Sequence, residues 1–566
     1  MSDDTRPKKG AAPAAAPPVP APAFEGRAAF GLAALSALLC WLAYVGVGIW
    51  PLAFVCWAPF ILAIRGQTPK RAFWLSFFAG TTMIAGGFSW LLGMLQTFSG
   101  FPLPLCLLFA VILWSYQGLK YALVGWMTAR AEVRGWSPAL AFFAAFVATE
   151  LLYPLLFPYY FGDAFYRTPV LLQTADLGGP ILLSVIVVAT NLAVVELVMG
   201  RLRGAGERRV VYAGAGVLGF ALVYGLVRVA MMDAKVAEAE AIDVGIVQGN
   251  LGLMQNHTAP AVALSRHRAA TADLKKKGAG LVVWSESAVD MAADDRVLSD
   301  FYRANVSGGL GVPLIFGTVV FHSPDDAPFA PGRRAREQIF NTALSTDAIG
   351  NVTGRYDKEY LLAFGEYLPL GETFPSLYEI SRNSGRFTPG TKLDPLPVTT
   401  ATGKHTVAAF ICYEDILPSF TNKLVAATDP ELLVNITNDA WFGTTAEPWQ
   451  HMALAQVRAV EHRRFLVRAT NSGVSAVVDP VGRVIASTEV RDVQAGVDAP
   501  DTLLAKVRWL KNGTLYGVVG DAPWYGVALL AVVMTWRARR QKDEESRTDT
   551  PVKESAPPPS NENAES

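Results

Sequence analysis

Long apolar segments crowd the first half of the chain and constrain its fold more than any other feature. Of its 566 residues, 51% are hydrophobic and only 17% are charged, against roughly 25% charged in ordinary soluble domains. A helix needs about 20 apolar residues to cross the hydrocarbon core of a bilayer. Segments of about that length predict eight membrane-spanning helices, at 28–45, 47–64, 72–96, 103–128, 137–157, 179–200, 210–230 and 518–536.

The rest of the sequence divides around these segments. Residues 1–26 are rich in alanine and proline, and residues 541–566 are charged and rich in proline and serine, so we expect both tails to be disordered. Residues 27–230 are then a seven-helix membrane domain, 231–517 a globular domain, and 518–540 a final membrane helix. We expect no cleavable signal peptide, because the tail before the first apolar segment is long and more segments follow.

Lysine and arginine lie mainly on one side of the predicted membrane helices. The opposite loops are nearly free of them, apart from Arg167. Because positive charge marks the cytoplasmic side of a membrane protein, we expect both tails in the cytoplasm and residues 231–517 outside it. The loops predicted to be cytoplasmic contain Arg65, Lys70, Arg71, Arg130, Arg134, Arg201, Arg203, Arg208 and Arg209.

Charge and cysteine content argue against two classes of protein. The 49 basic residues balance the 49 acidic ones, whereas a nucleic-acid-binding protein usually carries a basic excess. Four cysteines are too few for a disulfide-stabilised scaffold of this length. Lys120 and Glu196 lie within predicted membrane helices, where ionisable groups can mark function. We interpret both as structural, because Glu196 is near a helix end and Lys120 can extend its ammonium towards the surface.

Short apolar runs alternate with amphipathic stretches in residues 231–517. This alternation predicts an α/β layered sandwich, and continuous apolar runs such as ELLVNIT suit strands buried on both faces. The predicted strands are 242–248, 281–284, 314–321, 341–346, 406–411, 432–437, 465–470 and 475–479, and the predicted helices are 258–277, 294–306, 415–427 and 448–463.

Cys412 is the only cysteine outside the predicted membrane helices. An isolated cysteine is usually a buried apolar residue, and Cys40, Cys56 and Cys106 fit that interpretation. In VAAFICYEDI, however, Cys412 ends an apolar strand and precedes a charged turn and a helix. A strand-to-helix elbow of this kind presents a nucleophile, and a helix N-terminus favours its thiolate.

Two other stretches place ionisable residues after apolar strands. LVVWSES contains Glu286, and TGRYDKEYLLAFGEYLP contains Lys358 and, eight residues later, Glu366. A nucleophilic cysteine needs a base, and none of the six histidines lies in an evident cysteine–histidine signature. Glu286, Lys358 and Cys412, spaced by 72 and then 54 residues, therefore suggest a Glu–Lys–Cys site.

These motifs, together with VQGN at 247–250 and NITNDAWFG at 435–443, resemble the nitrilase (carbon–nitrogen hydrolase) superfamily. Between its tails the whole chain is similar to the membrane-embedded branch of that superfamily, the apolipoprotein N-acyltransferases. The resemblance implies a nitrilase-like αββα sandwich on a polytopic α-helical membrane domain of about eight helices. It also implies a bacterial inner-membrane protein with a periplasmic catalytic domain.

The resemblance assigns roles residue by residue. Glu286 takes the place of the general base, Lys358 that of the catalytic lysine and Cys412 that of the nucleophile. Five supporting positions also match: Glu366, Tyr413, Glu414, Asn438 and Trp441. Two departures are visible. The first motif has WSE where WPE is common, and His257 in LGLMQNH stands where the family often has a tryptophan.

The same resemblance implies acyl transfer in two half-reactions without cofactor or metal. A phospholipid, typically phosphatidylethanolamine, acylates Cys412, and the thioester then acylates the α-amino group of a diacylated apolipoprotein. A membrane-anchored nitrilase-type amidase or hydrolase, with water as the acceptor, is the alternative. A transporter or a binding module fits less well, because the apolar segments hold few charges and Cys412 has no disulfide partner.

Residues 360–378 (YLLAFGEYLPLGETFPSLY) are unusually apolar for a segment between strands. Trp441, Phe442 and Trp449 supply a second aromatic group nearby. Both groups either pack on the domain or form mobile lids at headgroup level, where aromatic rings are enriched. The sequence leaves these two interpretations open.

Overall fold

The computed structural model describes residues 21–204, 206–252, 260–322, 338–380, 384–491, 493 and 499–538. The outer parts of both predicted tails, 1–20 and 539–566, lie outside the described residues. The helices before the sandwich are α1 (Gly26–Ala43), α2 (Ala58–Ile64), α3 (Pro69–Gly87), α4 (Trp90–Ser99), α5 (Leu103–Val133), α6 (Pro138–Leu152), α7 (Pro169–Leu172), α8 (Ala175–Arg203) and α9 (Arg208–Glu238).

Apolar helices lie at every position where the sequence predicts a membrane segment. Among the described residues, α1, α5, α8 and α9 are each long and apolar enough to span a bilayer, and α3 with α4 qualifies as one bent span. Shorter apolar helices lie at Trp50–Ile64, Pro138–Leu152 and Ala522–Trp536. These helices fit a membrane protein, while the number of eight spans stays a prediction. Helix α9 runs eight residues past its predicted end and leads straight into the first strand.

A bend of 61° separates α3 from α4. Phe88 leaves the helical conformation at this point, with φ −115° and ψ 34°. Its carbonyl accepts a hydrogen bond of 3.0 Å from Trp114 Nε1 of α5, which satisfies a buried polar group at the break. The bend brings Trp90 at the start of α4 against the sandwich, where its ring lies 5.2 Å from that of Phe442.

The two ionisable residues noted within the apolar segments lie close to opposite charges. Glu196 Oε1 lies 2.5 Å from Arg65 Nη1. Lys120 Nζ lies 4.0 Å from Glu150 Oε1 and 4.7 Å from the centre of the Tyr159 ring. These contacts support the structural interpretation of both residues.

Two β-sheets pack face to face in the second half of the chain. One sheet has the strand order β13-β1-β2-β4-β5-β6, with β3 beside β4, and the other has the order β12-β11-β10-β9-β8-β7. Their bounds are β1 (Ala241–Gln248), β2 (Leu281–Trp284), β3 (Val289–Asp294), β4 (Leu314–His322), β5 (Gln338–Thr346), β6 (Val352–Asp357), β7 (Leu396–Thr399), β8 (Lys404–Ile411), β9 (Leu432–Thr437), β10 (Leu466–Thr470), β11 (Ala476–Val478), β12 (Val484–Ser487) and β13 (Asp501–Arg508).

Helices cover the outer faces of both sheets and complete an αββα sandwich. Leu274 of the first outer helix packs with Trp284 against one sheet, and Phe420 and Ala455 of two later helices pack against the other. The remaining helices are α10 (Pro260–Lys276), α11 (Leu298–Tyr302), α12 (Leu377–Ile380), α13 (Pro418–Thr428), α14 (Glu447–His462), α15 (Leu515–Val519) and α16 (Ala522–Trp536).

The eight predicted strands all correspond to observed ones, but five strands have no counterpart in the prediction. These are β3, β6, β7, β12 and β13. Their sequences are short or mixed in polarity, such as VTGRYD and DTLLAKVR. Strand β13 pairs antiparallel with β1 about 260 residues away along the chain, and local periodicity does not report such a contact. The predicted helix at 294–306 is a series of short helical turns.

Arg463 fastens the sandwich to the apolar helices. It lies in the left-handed region (φ 52°) at the end of α14 and is fully buried. Its guanidinium donates to Asp176 Oδ2 of α8 at 2.7 and 3.0 Å, and to the carbonyl oxygens of Gln173 and Pro480. Asp176 also accepts from Arg228 of α9 at 2.8 Å. One buried carboxylate thus joins both parts of the chain.

We predict that Arg463→Ala destabilises the protein strongly. Breaking a buried ion pair typically costs about 3–5 kcal/mol, and because Arg228 still pairs with Asp176 we expect a loss near the lower end of this range. Arg491→Ala is the matched control, because Arg491 pairs with Asp501 at the surface and its side chain is 46% exposed. Thermal unfolding in detergent micelles should show a lower midpoint for Arg463→Ala and little change for Arg491→Ala. Equal midpoints for the two variants would contradict the role given to Arg463.

Candidate active site

Strand ends from both sheets meet at one edge of the sandwich. Glu286 follows β2 by two residues and Lys358 follows β6 directly, while Cys412 follows β8 of the opposite sheet. Lys358 Nζ lies 3.8 Å from Glu286 Oε1, and the charges of both residues act on the Cys412 thiol. The structure therefore brings together the three residues that the sequence analysis singled out.

Cys412 stands on a sharp turn. Its φ of 56° is in the left-handed region, which costs a non-glycine residue roughly 1–2 kcal/mol. The turn is held from both sides, because Asn435 Nδ2 donates to the Cys412 carbonyl at 3.0 Å and Glu414 Oε2 accepts from the Ile411 amide at 2.8 Å. A short 3₁₀ helix, Cys412–Ile416, follows before α13 begins at Pro418. The predicted elbow is present, but its first helical turn is 3₁₀ rather than α.

Lys358 is the cation at the centre of this edge. Its ammonium is buried and lies 2.7 Å from Glu366 Oε2. Asn341 of β5 donates from Nδ2 to Glu286 Oε1 at 2.7 Å and to Glu366 Oε1 at 2.8 Å. The amide of Leu362 also donates to Glu366 Oε2. Two carboxylates and one ammonium thus share a single hydrogen-bonded cluster beside the thiol.

The charges in this cluster are strongly perturbed. Burial raises the pKa of Cys412 well above its usual value, and Glu286 raises it further, whereas Lys358 opposes this shift. Burial also raises the pKa of Glu286 against the opposing charge of Lys358. For Lys358 burial alone would lower the pKa, but Glu366, Cys412 and Glu286 outweigh burial and raise it. Cys412 is therefore a neutral thiol, Glu286 is a carboxylate of raised proton affinity, and Lys358 is an ammonium.

Glu414 and Tyr413 connect the turn to the segment after Lys358. Glu414 Oε1 accepts from the Tyr356 hydroxyl and from the backbone amides of residues 359 and 360, at 2.9 to 3.0 Å. Burial raises the pKa of Glu414 to about 7, against the opposing charge of Lys358. The Tyr413 ring lies 5.8 Å from Lys358 Nζ, and its hydroxyl donates to the Leu361 carbonyl at 3.3 Å. Both residues therefore border the cluster.

The other supporting positions lie further round the edge. Asn438 Oδ1 accepts from Asn471 Nδ2 at 3.1 Å, which ties its loop to the loop after β10. Trp441 is half-buried in the same loop. His257, the departure from the family pattern, lies outside the described residues. Asn438 thus ties together the loops around the edge.

The neutral and buried polar residues of the site were not predicted from the sequence. Asn341 bridges the two carboxylates, yet an asparagine in a β-rich run carries no local signal of function. Asp439, Glu447 and His451 have ligand atoms within 4.8 Å of one another, a spacing that could hold a metal ion. However, Arg468 and His451 bond directly to Asp439, so the protein's own cations already compensate its charge.

Residues 360–378 expose an apolar surface next to Lys358 and Glu366. The exposed side chains are Tyr360, Phe364, Tyr367, Leu370 and Phe374. Two of them, Phe364 (φ 69°) and Leu370 (φ 63°), lie in the left-handed region. An exposed apolar patch usually marks an interaction surface, so these five side chains do not simply pack on the domain.

Comparisons with known proteins agree with the two-part architecture. The family model of the apolipoprotein N-acyltransferase N-terminal domain matches residues 36–193, and that of carbon–nitrogen hydrolase matches residues 243–494. An apolipoprotein N-acyltransferase of Geobacter metallireducens is 30% identical over 90% of this chain and 95% of its own length. The chain belongs to the apolipoprotein N-acyltransferase family.

Other apolipoprotein N-acyltransferases are similar at comparable levels. That of Pseudomonas aeruginosa is 27% identical over 91% of this chain and 97% of its own length. That of Azotobacter vinelandii is 30% identical over 80% of this chain. Among solved structures, Nit3 of Saccharomyces cerevisiae, a nitrilase-superfamily member, is 15% identical with a TM-score of 0.33 over 50% of this chain and 95% of its own. Family membership supports an acyltransferase of lipoprotein biosynthesis and confirms the resemblance noted from the motifs.

We predict opposite effects of Glu286→Gln and Lys358→Met on the thiol of Cys412. The carboxylate of Glu286 raises the thiol pKa and the ammonium of Lys358 lowers it. Losing the carboxylate should therefore lower this pKa, and losing the ammonium should raise it further. A nearby charge typically shifts a pKa by about 1–3 units. At pH 9, iodoacetamide should modify Cys412 about tenfold faster in Glu286→Gln and about tenfold slower in Lys358→Met.

The measurement uses a background in which Cys40, Cys56 and Cys106 are alanine, so that only Cys412 reacts. The wild-type rate should still rise with pH above 9, since burial holds the thiol pKa well above its usual value. A slower reaction of Glu286→Gln than of the parent would refute this description of the cluster.

Proposed function

We propose that the protein transfers an acyl chain from a phospholipid, typically phosphatidylethanolamine, to the α-amino group of a diacylated apolipoprotein through a thioester on Cys412. The observation that carries the proposal is the meeting of Glu286, Lys358 and Cys412 at one buried edge. Family membership supports N-acylation of lipoproteins. Phosphatidylethanolamine as the donor and the thioester on Cys412 as the intermediate go beyond what family membership supports.

In the first half-reaction Glu286 takes the thiol proton as Cys412 attacks the ester carbonyl. Its pKa is raised, which suits a general base. Negative charge then develops on the former carbonyl oxygen, and we assign its stabilisation to Lys358 and the Tyr413 amide. The C–S bond forms, the ester C–O bond breaks, and lysophospholipid leaves with the proton that Glu286 returns.

In the second half-reaction the α-amino group of the apolipoprotein attacks the thioester. Glu286 accepts a proton from the amine as the amide bond forms, the C–S bond breaks, and Glu286 gives the proton to the departing sulfur to restore the thiol of Cys412. A thioester is reactive enough to form an amide without nucleotide hydrolysis. Because the two substrates use the same site in turn, the kinetics should be ping-pong.

We propose that the site faces the periplasm just above the bacterial inner membrane, with both termini in the cytoplasm. The arginine and lysine distribution supports this orientation. Direct contacts between the two parts of the chain support its position at the membrane surface. Gln450 of α14 accepts from Trp90 Nε1 and donates to the carbonyls of Val45 and Gly87. The first turn of α14 thus lies against the end of α3 and the residues that follow α1.

A hydrolase would use the same three residues with water as the acceptor. The exposed apolar segment 360–378 favours the transferase, because it could admit acyl chains and keep water from the thioester. The many apolar helices also favour the transferase. A hydrolase would need only one membrane helix as an anchor, whereas an enzyme with two lipid substrates has a use for a larger membrane domain. We therefore retain hydrolysis only as the alternative outcome of the tests.

We predict that Cys412→Ala abolishes the acyl adduct formed with phospholipid, while replacing Cys40, Cys56 and Cys106 preserves it. Glu286→Gln should slow adduct formation about 10²–10⁴-fold, and Lys358→Ala about 10²–10³-fold. Intact-protein mass spectrometry after incubation with phosphatidylethanolamine measures each rate. An adduct that persists in Cys412→Ala would contradict the assignment of Cys412 as the nucleophile. Normal rates in Glu286→Gln or Lys358→Ala would contradict the role given to that residue.

We predict that replacing Leu361, Leu362 and Phe364 together by serine lowers the yield of the adduct or shortens its half-life without unfolding the domain. The reason is that an apolar lid excludes water from the thioester. Ile349→Ser is the matched control, because Ile349 is 65% exposed but lies in the turn at the far end of the β5–β6 hairpin. If both proteins hold the acyl group equally well, the segment is not a lid.

A further inference from the structure

A closed ring of buried ion pairs lies behind the turn that carries Cys412. Asp415 and Asp439 each contact the same two cations, Arg468 and His451. Arg468 donates to Asp415 Oδ2 at 2.7 Å and to Asp439 Oδ2 at 3.0 Å. His451 lies 3.0 Å from Asp415 Oδ1 through Nε2 and 3.1 Å from Asp439 Oδ1 through Nδ1. All four carboxylate oxygens are thereby engaged.

The ring joins the structural elements that shape the candidate site. Asp415 belongs to the 3₁₀ turn that Cys412 opens, and Asp439 follows Asn438 in the loop after β9. Arg468 Nη1 also donates to Asn435 Oδ1 at 2.7 Å, and Asn435 Nδ2 in turn donates to the Cys412 carbonyl. A continuous chain of hydrogen bonds therefore runs from His451 to the backbone of the thiol residue.

The geometry specifies the charge of His451. An ionised carboxylate only accepts hydrogen bonds, so an imidazole that bonds to one carboxylate through each nitrogen must carry both protons. Burial and Arg468 act to lower the pKa of His451, but Asp415 and Asp439 outweigh them and raise it to about 10. Glu447 on the same helix lies 3.8 Å from Nδ1. Burial and Asp439 raise its pKa to about 8, against the opposing charge of His451.

Charge within the ring is balanced only while His451 is a cation. Arg468 and His451 then offset Asp415 and Asp439, with Glu447 largely protonated near neutral pH. Asp439 is one of the charges that raise the pKa of the Cys412 thiol. A neutral residue at 451 would leave one negative charge uncompensated in a buried region, and such a charge acts over several ångströms where water is excluded.

We propose that His451 is a positioning residue that, as an imidazolium, holds the nucleophile turn against the Asn438 loop and cancels the carboxylate charge behind Cys412. It touches neither thiol nor substrate in this role and acts through Asp415 and Asp439. The proposal rests on Cys412 as the nucleophile of the proposed function. It separates His451 from a metal ligand, since both of its nitrogens are occupied as donors.

The test compares His451→Gln, which removes the charge, with His451→Lys, which keeps it. Both variants are made in the background that retains only Cys412, and iodoacetamide modification is followed from pH 7 to 11. The matched control is His462→Gln, because His462 is a buried histidine on the same helix with no hydrogen bond to the ring. Thermal unfolding of each protein reports folding separately.

We expect His451→Gln to raise the apparent thiol pKa by about one unit and to slow modification at pH 9 about tenfold. His451→Lys should recover most of that rate, and His462→Gln should match the parent. A ring that is merely structural would lower the unfolding midpoint in both His451 variants and leave the pH profile unmoved, and that result would overturn the proposal. So would a lysine variant as slow as the glutamine variant.

A measurement on the unmodified protein covers the case in which His451→Gln fails to fold. Nitrogen-15 NMR of histidine-labelled full-length protein should show one doubly protonated imidazole at pH 8.5 that is absent from His451→Lys. A neutral His451 at this pH would overturn the proposal. Neither assay depends on acyl transfer, so a failure of the proposed function remains distinguishable from a failure of the role of His451.

Discussion

The buried ammonium of Lys358 is the charge on which the rest of the site depends. Two carboxylates, Glu286 and Glu366, and a thiol share one desolvated edge, and like charges in such surroundings destabilise one another. Lys358 compensates them, and Asn341 keeps both carboxylates in place around it. In the mechanism that we propose, Cys412 therefore remains a neutral thiol at rest and loses its proton to Glu286 as it attacks an ester carbonyl.

The fold forms this edge from two sheets, each of which contributes different residues of the site. One sheet contributes the carboxylate of Glu286 after β2, the amide of Asn341 in β5 and the ammonium of Lys358 after β6, and the other contributes the thiol on a left-handed turn after β8. Behind that turn a second group of compensated charges centres on His451 and Arg468. The bent helix pair α3–α4 and the buried pair of Arg463 with Asp176 then hold the sandwich against the apolar helices.

Much of this arrangement could be predicted from sequence, and the omissions have physical causes. The buried strands and the elbow at Cys412 were predictable because continuous apolar runs and an abrupt change to charge are local signals. Strand β6, which leads to Lys358, has the mixed sequence VTGRYD and was missed. The break at Phe88 depends on Trp114 of another helix, and the clusters around Asn341 and His451 form only when distant strands meet. Long-range contacts of this kind produce no local periodicity in the sequence.

The claim that Cys412 carries an acyl group between two lipid substrates can be tested in one experiment. Purified protein is incubated with phosphatidylethanolamine, examined by intact-protein mass spectrometry, and then mixed with a synthetic diacylated lipopeptide. We expect the mass of one acyl chain to accumulate on Cys412, to persist with phospholipid alone, and to disappear rapidly as N-acylated lipopeptide forms. A protein that never gains this mass, or that loses it to water equally fast with and without lipopeptide, would contradict the transferase mechanism.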